Sequence, residues 1–239
     1  MDFYKIMNED EHHYNMKYKT GLNIDINPFN PSCEPMGIYF SREDIFAYLD
    51  FYSYWIRKVT IPEDAQIQVF ENPGSPKKWK SDKVILGDRK KINFKTIKKL
   101  IDEGANPKVN KSLVLQWASN KGYFDVVKLL IPLSDPKTNN SRALWWAAEK
   151  NHIDIVKSLI PLSDSRTECS YALHQAIKHG HKEIVKVLLP VSKTKTYGDW
   201  CLKLAINNGN PEIIKLVEEH NLNYKLIKSK NLEDLAGQK

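Results

Sequence analysis

Two adjacent histidines and three scattered cysteines are among the residues of this sequence that most readily do chemistry. His12 and His13 could bind a metal ion or act as a general base. No third ligand stands at a recognisable metal-binding spacing from them, so we interpret both as surface residues. Cys33, Cys169 and Cys201 are far apart and odd in number, which is typical of a reducing, intracellular protein rather than of a disulfide scaffold or a zinc site. We therefore expect no metal and no cofactor.

A glycine and aromatic pattern near the N-terminus suggests a second kind of chemistry. Gly21–Leu22 precedes Gly37–Ile38–Tyr39–Phe40, and this order resembles the core of poly-ADP-ribosyltransferase-like domains. The resemblance implies that Tyr39 would stack on nicotinamide. The family's His-Gly-(Ser/Thr) strand is not at its proper spacing, and no trailing catalytic Glu is assigned. An ADP-ribosyltransferase-like enzyme, or a decayed relative of one, within residues 1–87 is kept as the alternative function.

The second half of the chain contains an internal repeat of 29 residues, and this repeat sets the elements that position its side chains. Each unit has an alanine, a glycine or asparagine four residues later, an acid, two branched apolar residues and a lysine. The alanines are Ala118, Ala147, Ala176 and Ala205, the residues that follow four positions later are Gly122, Asn151, Gly180 and Gly209, and the lysines are Lys128, Lys157, Lys186 and Lys215. So many positions at one spacing indicate stacked copies of one structural unit.

Each repeat predicts two short helices. The alanine lies in the first, inner helix, where its small side chain lets a neighbouring helix approach closely. The glycine or asparagine stands where that helix ends and a left-handed residue is needed. The second, outer helix begins near an acid, whose negative charge interacts favourably with the positive N-terminal end of the helix dipole. The apolar residues of this helix recur at helical spacing. Pro132, Pro161 and Pro190 are expected to stop the second helix in three units.

These units resemble ankyrin repeats. Tyr171–His174 reads YALH, close to the family's T-P-L-H signature; residues 179–189 read HGHKEIVKVLL, close to its second helix; and residues 94–110 end a repeat with the turn Gly104–Ala105–Asn106. The resemblance implies a mainly α fold, an ankyrin solenoid of about four to five short helix pairs with a small α+β N-terminal domain. Because the units are shorter than the usual ankyrin length, we expect stubby or absent hairpin strands. The repeated motif L-I-P-L-S-D resembles motifs in the ankyrin-repeat proteins of giant DNA viruses such as mimivirus.

The first 87 residues do not repeat and differ in charge from the rest. They carry 10 Lys and Arg against 13 Asp and Glu, whereas the remaining residues carry 26 against 16. Strands are predicted over 13–20, 37–41, 55–61, 66–70 and 83–86. Ser41 is a good N-cap for a predicted helix over roughly 42–52. We therefore divide the chain into a small α+β domain of unknown role (1–87), ankyrin repeats (88–225) and a polar tail (226–239).

Composition and charge limit the classes of partner. Hydrophobic residues make up 41% and charged residues 27% of the chain, as in a globular protein. No stretch approaches the about 18 to 20 consecutive apolar residues of a membrane span. A net charge of +7 makes nucleic acid a third class to consider, but the lysines of the repeat lack interleaved stacking aromatics. We expect a monomeric cytoplasmic protein, in the host cell cytoplasm if it is viral, with neither a membrane nor a nucleic-acid partner.

A protein-binding surface is the function that the repeat favours. In the ankyrin family, partners most often contact the end of the inner helix and the hairpin tip, so the resemblance implies a non-catalytic module that binds a host or viral protein through its concave face. The predicted helix-end contacts are Asn120, Lys121, Glu149, Lys150, Lys178, His179, Asn207 and Asn208, and the predicted tip contacts include Asn110, Ser112, Asn139, Ser141, Ser170 and Asp199. Trp145 replaces the family's histidine and is either a packing residue or an aromatic anchor for the partner.

Other conspicuous repeat residues receive structural roles. Trp117, Trp145 and Trp146 lie close together on the first helices of two adjacent units, and at least one of them is predicted to pack between repeats. By the ankyrin resemblance, His152 and His181 stand at a position that commonly carries histidine for structural reasons, and His174 braces a loop.

Overall fold

The chain folds into two compact units, residues 1–135 and 136–239, in a computed structural model. The structure describes residues 1–13, 16–32, 37–163, 168–192 and 194–221, without the side chains of residues 140, 168–169 and 194–199. The predicted C-terminal tail over 226–239 and Cys33 lie outside the described residues. The boundary between the units falls after the first predicted helix pair, and the division at residue 87 stays a prediction.

Two antiparallel sheets of five and three strands and a separate two-strand pair build the N-terminal part of the first unit. The strands are β1 (Phe3–Met7), β2 (His12–His13), β3 (Met16–Lys17), β4 (Gly21–Ile24), β5 (Ile38–Phe40), β6 (Trp55–Thr60), β7 (Ile67–Phe70), β8 (Lys78–Ser81), β9 (Lys83–Leu86) and β10 (Lys90–Lys91). The larger sheet has the order β1-β6-β9-β4 with β10 also on β6, the smaller has the order β5-β8-β7, and β2 pairs with β3. Tyr4 of β1 and Ser41 exchange backbone hydrogen bonds of 2.8 and 2.9 Å, which join the two sheets.

The two sheets enclose one apolar core because side chains alternate between the faces of each strand. The buried residues are Met7, Val59, Val84 and Leu86 from the larger sheet, Ile38, Phe40 and Trp79 from the smaller, and Tyr18 after β3. Phe3 packs edge-on against Phe40 and Trp79, with ring centroids 5.3 and 5.0 Å apart. Burial of these aromatic rings is a major source of stability for so small a module.

The helix predicted over 42–52 is wrong. The chain forms only a single 3₁₀ turn, Ile45–Tyr48, and no side chain caps it. The Ser41 hydroxyl donates instead to the Lys77 carbonyl at 2.7 Å, and the Asp44 carboxylate accepts from the Lys77 backbone N–H at 2.8 Å. The Ser41 hydroxyl and the Asp44 carboxylate are thus both used by a segment distant in sequence. Ser41 is also held in the β-bridge, so the predicted N-cap cannot start a helix.

Helices make up the rest of both units. The first unit has α1 (Phe94–Asp102), α2 (Val109–Lys121) and α3 (Phe124–Leu130), and the second has α4 (Thr138–Glu149), α5 (Ile153–Leu159), α6 (Glu168–Lys178), α7 (Lys182–Leu188), α8 (Thr194–Asn208) and α9 (211–221). Within the described part of the chain, α1 is thus followed by four pairs of helices. We call α2, α4, α6 and α8 the first helices and α3, α5, α7 and α9 the second helices.

The repeat positions have the structural roles that their spacing predicts. The four alanines are all 0% exposed, so each lies at a close packing contact. The four residues after the first helices are left-handed, with φ of 74° at Gly122, 63° at Asn151, 75° at Gly180 and 79° at Gly209. Pro132, Pro161 and Pro190 each lie in a 3₁₀ turn that directly follows a second helix. Beyond Lys91, the described residues contain no strand, as the short repeat length predicts.

Candidate protein-binding face on the first helices

Aromatic side chains occupy equivalent repeat positions on neighbouring first helices of the unit 136–239. Tyr171 of α6 and Trp200 of α8 are 29 residues apart, and so are Trp145 of α4 and His174 of α6. Tyr171 is 54% exposed and Trp200 is 45% exposed, whereas Trp145 and His174 are half-buried. We call Trp145, Tyr171, His174 and Trp200 the aromatic face. Exposed aromatic residues at a shared position are typical of a binding surface.

Ring contacts position three of the four residues of the aromatic face. The His174 and Trp200 rings lie 4.4 Å apart with an interplanar angle of 35°. Trp145 packs edge-on against Trp146 at 4.2 Å, and the Arg142 guanidinium lies 4.8 Å from the Trp145 ring centroid. Burial, followed by the positive charges of Lys178 and His179, lowers the pKa of His174. Its ring is therefore uncharged near neutral pH and adds to an apolar surface.

The sequence predictions did not include Tyr171 and Trp200. The signal that could have found them is the 29-residue spacing that connects Arg142, Tyr171 and Trp200. The His174 ring contacts Trp200, and its Nδ1 lies 3.3 Å from the Gln175 side-chain amide. Its role in bracing a loop stays a prediction.

The predicted helix-end residues of the unit 136–239 lie beside this face. Lys150, Lys178, His179 and Asn207 are exposed, and Glu149 and Asn208 are half-buried. Glu149 forms an ion pair with Lys150 at 3.0 Å, and its carbonyl lies 2.8 Å from the His181 Nε2. The Asn208 amide donates to the Lys178 carbonyl at 3.2 Å. The end of α4 is thus joined to the start of α7, and the end of α8 to the end of α6, while charged side chains remain exposed.

In the first unit, residues 43–51 already contact α2 near both its start and its end. The Lys121 Nζ donates to the Phe51 carbonyl at 2.6 Å, and the Asn110 amide donates to the Ala47 carbonyl at 3.4 Å. The backbone N–H of Asn106 donates to the Glu43 carbonyl at 2.7 Å. The residues 43–51 thus cover α2, so Lys121 serves the internal structure of the first unit, and the half-buried Asn120 is next to it.

Two of the predicted tip residues are not on the surface. Ser112 is 2% exposed and Ser141 is 1% exposed, so neither is an accessible tip contact. Both have left-handed backbone at the start of a first helix, and the Ser112 hydroxyl accepts the Asp135 N–H at 3.1 Å. Asn139 is exposed and Ser170 is half-buried. Asp199 lies in α8, and its side chain is outside the described part of the structure.

The lysines and histidines of the second helices have structural or solvent-exposed positions. Lys128, Lys157, Lys186 and Lys215 are all exposed. Lys128 pairs with Asp125 at 3.2 Å and lies 4.5 Å from the Phe124 ring centroid. His152 and His181 directly precede α5 and α7. Trp117 is 1% exposed and therefore packs in the interior of the first unit.

The structure brings together only some of the residues on which the ADP-ribosyltransferase-like alternative depends. Gly21 begins β4 of the larger sheet, whereas Tyr39 lies on β5 of the smaller sheet. Tyr39, His12 and His13 line one cavity of about 230 Å³. The ammonium groups of Lys78 and Lys80 lie 4.7 and 5.5 Å from the Tyr39 ring centroid. Two cations beside this ring disfavour stacking of the positively charged nicotinamide of NAD⁺.

Neither a metal-binding cluster nor a membrane-spanning helix occurs among the described residues. Across those ranges, no group of three or more His, Cys, Asp or Glu side chains is placed to hold a metal ion. None of the helices in the same ranges is both long and apolar enough to cross a membrane. Cys201 is buried, and this burial raises the pKa of its thiol to about 11.

Comparison with known proteins identifies the repeat. The family model described as ankyrin repeats (3 copies) matches residues 89–168 and 162–227, more than half of the chain. The chain is 36% identical over 123 residues to the ankyrin repeat protein R229 of Acanthamoeba polyphaga mimivirus, covering 48% of this chain and 40% of R229. It is 33% identical over 135 residues to the ankyrin repeat protein R868 of the same virus, covering 54% of this chain and 66% of R868.

A third relative matches over nearly its whole length. Protein R869 of Acanthamoeba polyphaga mimivirus is 31% identical over 141 residues, covering 54% of this chain and 96% of R869. The chain thus spans less than two thirds of the length of R229 and R868 but almost all of R869. The family match, the buried alanines and the left-handed residues all fall on the same repeat. The chain therefore belongs to the ankyrin-repeat family.

Proposed function

We propose that this chain is a non-catalytic module that binds a host or viral protein through the first helices of residues 136–239. Ankyrin repeats are generally protein–protein interaction modules. The main support for this proposal is the aromatic face, because Tyr171 and Trp200 are about half exposed to solvent. Burying large aromatic side chains away from water is favourable. A partner that covers them would gain this burial energy.

The surroundings of the aromatic face support a mixed apolar and charged contact. Lys150, Lys178 and His179 are exposed at the ends of the same helices. Aromatic anchors surrounded by polar residues are the usual arrangement of a protein interface. In the first unit, residues 43–51 cover α2, so we place the binding surface on the concave side of α4, α6 and α8. The host cell cytoplasm is the proposed location.

The alternative function, an ADP-ribosyltransferase-like enzyme in residues 1–87, has less support. The cavity beside Tyr39 has a volume of about 230 Å³, which is below the about 300 to 1,000 Å³ typical of sites for drug-sized ligands. NAD is larger than such ligands. Binding of a fluorescent NAD analogue to the full chain, with loss on Tyr39→Ala, would favour the enzyme over the binding module.

Affinity capture from infected host cells tests the proposed surface. The immobilised full chain is compared with a face variant, Trp145→Ala/Tyr171→Ala/Trp200→Ala, and with a control variant, Lys128→Ala/Lys157→Ala/Lys186→Ala, on the second helices. Because one interface hot spot contributes about 2 kcal/mol or more, we expect partner affinity to fall by at least about 30-fold in the face variant. The control variant should capture the same protein as the unmodified chain.

Two readouts make the comparison decisive. Thermal unfolding of both variants shows whether the helices remain folded, since the side chains at 171 and 200 are on the surface. Loss of capture by the control variant, with capture retained by the face variant, would place the partner on the second helices instead. Salt-sensitive capture of nucleic acid by the unmodified chain would favour the third class of function.

A further inference from the structure

A lysine occupies a core-facing position on β1. Because side chains alternate along a strand, Phe3, Lys5 and Met7 share one face, and Phe3 and Met7 pack in the core between the two sheets. Lys5 is only 6% exposed. Lysine is almost never fully buried unless its charge is paired. Packing alone therefore does not account for a lysine at this position.

The described surroundings of Lys5 do not neutralise its charge. Its Nζ donates to the Tyr39 carbonyl at 2.9 Å and lies 4.5 Å from the Tyr18 ring centroid. Among the described residues, no carboxylate forms an ion pair with it. Glu11, which lines the same cavity, accepts from the Arg57 guanidinium at 2.7 and 2.9 Å. Asp50, also on the cavity wall, accepts from the Tyr52 N–H and the Ser53 hydroxyl, both at 2.9 Å.

Lys5 lines a cavity whose other walls combine five aromatic side chains with polar and charged residues. The cavity has a volume of about 230 Å³, space for a molecule of about one ring with a small substituent. Its aromatic lining consists of Tyr4, Tyr18, Tyr39, Phe40 and Tyr48, and its charged or titratable lining of Lys5, Glu11, His12, His13, Asp50 and Lys78. A buried cation and several flat aromatic rings thus lie around one small space.

We propose that this cavity binds a small organic monoanion, a carboxylate on a single aromatic ring, whose carboxylate pairs with the Lys5 ammonium. One buried positive charge is matched by one negative charge. A phosphate monoester carries close to two charges, and the cavity offers no arginine to bind it in a bidentate manner. The ring would lie against the tyrosine and phenylalanine side chains. This site belongs to the first unit and does not depend on the proposed protein-binding face.

The charge state of Lys5 provides a signature for this binding. Burial lowers the pKa of Lys5 to about 8, so the ammonium is present at pH 7 and largely lost by about pH 9.5. The pKa of His13 is lowered, first by burial and then by Lys5, so His13 is neutral throughout this range. Burial raises the pKa values of Tyr4 and Tyr18, which therefore also stay neutral. The other groups that face Lys5 across the cavity are Glu11, His12, Asp50 and Lys78.

Fluorine NMR of para-fluorobenzoate with the full chain tests the proposal. We expect line broadening of this probe at pH 7 and none of para-fluorobenzamide, a neutral molecule of the same shape. In Lys5→Met the affinity for the probe should fall at least tenfold, because the apolar side chain fills the same volume without the charge. Lys17→Met is the matched control, since Lys17 lies on β3, is exposed and does not line the cavity.

The pH profile and the variants distinguish binding at Lys5 from binding to exposed lysines. In the unmodified chain, broadening should decline between pH 7 and about pH 9.5, with a midpoint at or above the Lys5 pKa of about 8. Broadening caused by ordinary exposed lysines should persist over this range, because their usual pKa is about 10.4. No broadening at millimolar probe, equal broadening with Lys5→Met, or undiminished broadening at about pH 9.5 would each overturn the proposal. If Lys5→Met does not fold, the pH profile and the neutral probe decide.

Discussion

At the scale of single residues, Lys5 and the left-handed residues of the repeat differ in how far sequence reveals them. Gly122, Asn151, Gly180 and Gly209 are predictable, because glycine and asparagine at the end of a helix serve a local backbone conformation. The burial of Lys5 is not predictable, since it depends on β5 approaching from a distant part of the chain. The aromatic face is only partly predictable from sequence. The 29-residue spacing relates Tyr171 to Trp200, but their exposure depends on how the helices pack.

Removing the charge of Lys5 should stabilise the protein. A buried charge without a counter-ion costs free energy, so we expect Lys5→Met to raise the free energy of unfolding at pH 7 by about 1 to 4 kcal/mol. Urea unfolding measures the change, with Lys17→Met as the control. A clear loss of stability in Lys5→Met would mean that the charge is compensated in the folded protein.

The same variant should depend on pH in a defined direction. The native pKa of Lys5 is about 8, below its usual value of 10.5, so above pH 8 the unfolded chain binds more protons than the native state. Stability of the unmodified protein therefore rises with pH through this window. The advantage of Lys5→Met should shrink by about 2 kcal/mol between pH 7 and about pH 9.5. A constant difference between the two proteins would contradict burial of a titrating lysine.

The left-handed position at Gly180 should discriminate between alanine and asparagine. A Cβ at this position would lie 3.6 Å from the Asn208 side chain, which is an ordinary contact, so the cost is conformational. We expect Gly180→Ala to lower the free energy of unfolding by about 1 kcal/mol or more. Gly180→Asn should cost less, because Asn151 has the same conformation one repeat earlier, with φ of 63°. If urea unfolding shows the same loss of stability for Gly180→Ala and Gly180→Asn, the left-handed φ at Gly180 is not the cause of that loss.

At the scale of elements, the helices were more predictable than the strands. Each helix pair depends on residues within one 29-residue unit, and its apolar spacing is complete within that unit. The N-terminal sheets depend on pairings such as β1 with β6 and β5 with β8, which bring distant residues together. Four strands, β1, β4, β8 and β10, were therefore not predicted. The missing 42–52 helix shows the same effect, because the Ser41 and Asp44 side chains hydrogen-bond to the distant Lys77 backbone.

Enlarging a repeat alanine should disturb the contact between first helices. Ala176 of α6 is 0% exposed, and α6 packs against both α4 and α8. Overpacking at Ala176→Leu should cost about 1 to 3 kcal/mol of unfolding free energy. Lys178→Leu on the exposed side of the same helix is the control and should change stability by less than about 0.5 kcal/mol. Native stability of Ala176→Leu would contradict close packing at the alanine.

At the scale of the whole molecule, the chain contains two compact units with separate proposed roles. In the unit 1–135, the N-terminal module covers α2 and contains the Lys5 cavity. In the unit 136–239, the first helices expose the aromatic face. Sequence predicted an interaction surface on the first helices. It did not restrict that surface to α4, α6 and α8, because the coverage of α2 by residues 43–51 depends on tertiary structure.

The most direct test of the central proposal is photo-crosslinking of the full chain to its captured partner. A benzophenone amino acid replaces Tyr171 on α6 in one sample and Lys186 on α7 in the other, both at exposed positions. If the partner binds the aromatic face, crosslinked partner should form from position 171 and not from position 186. Crosslinking from position 186 alone, or equally from both positions, would contradict binding through the first helices.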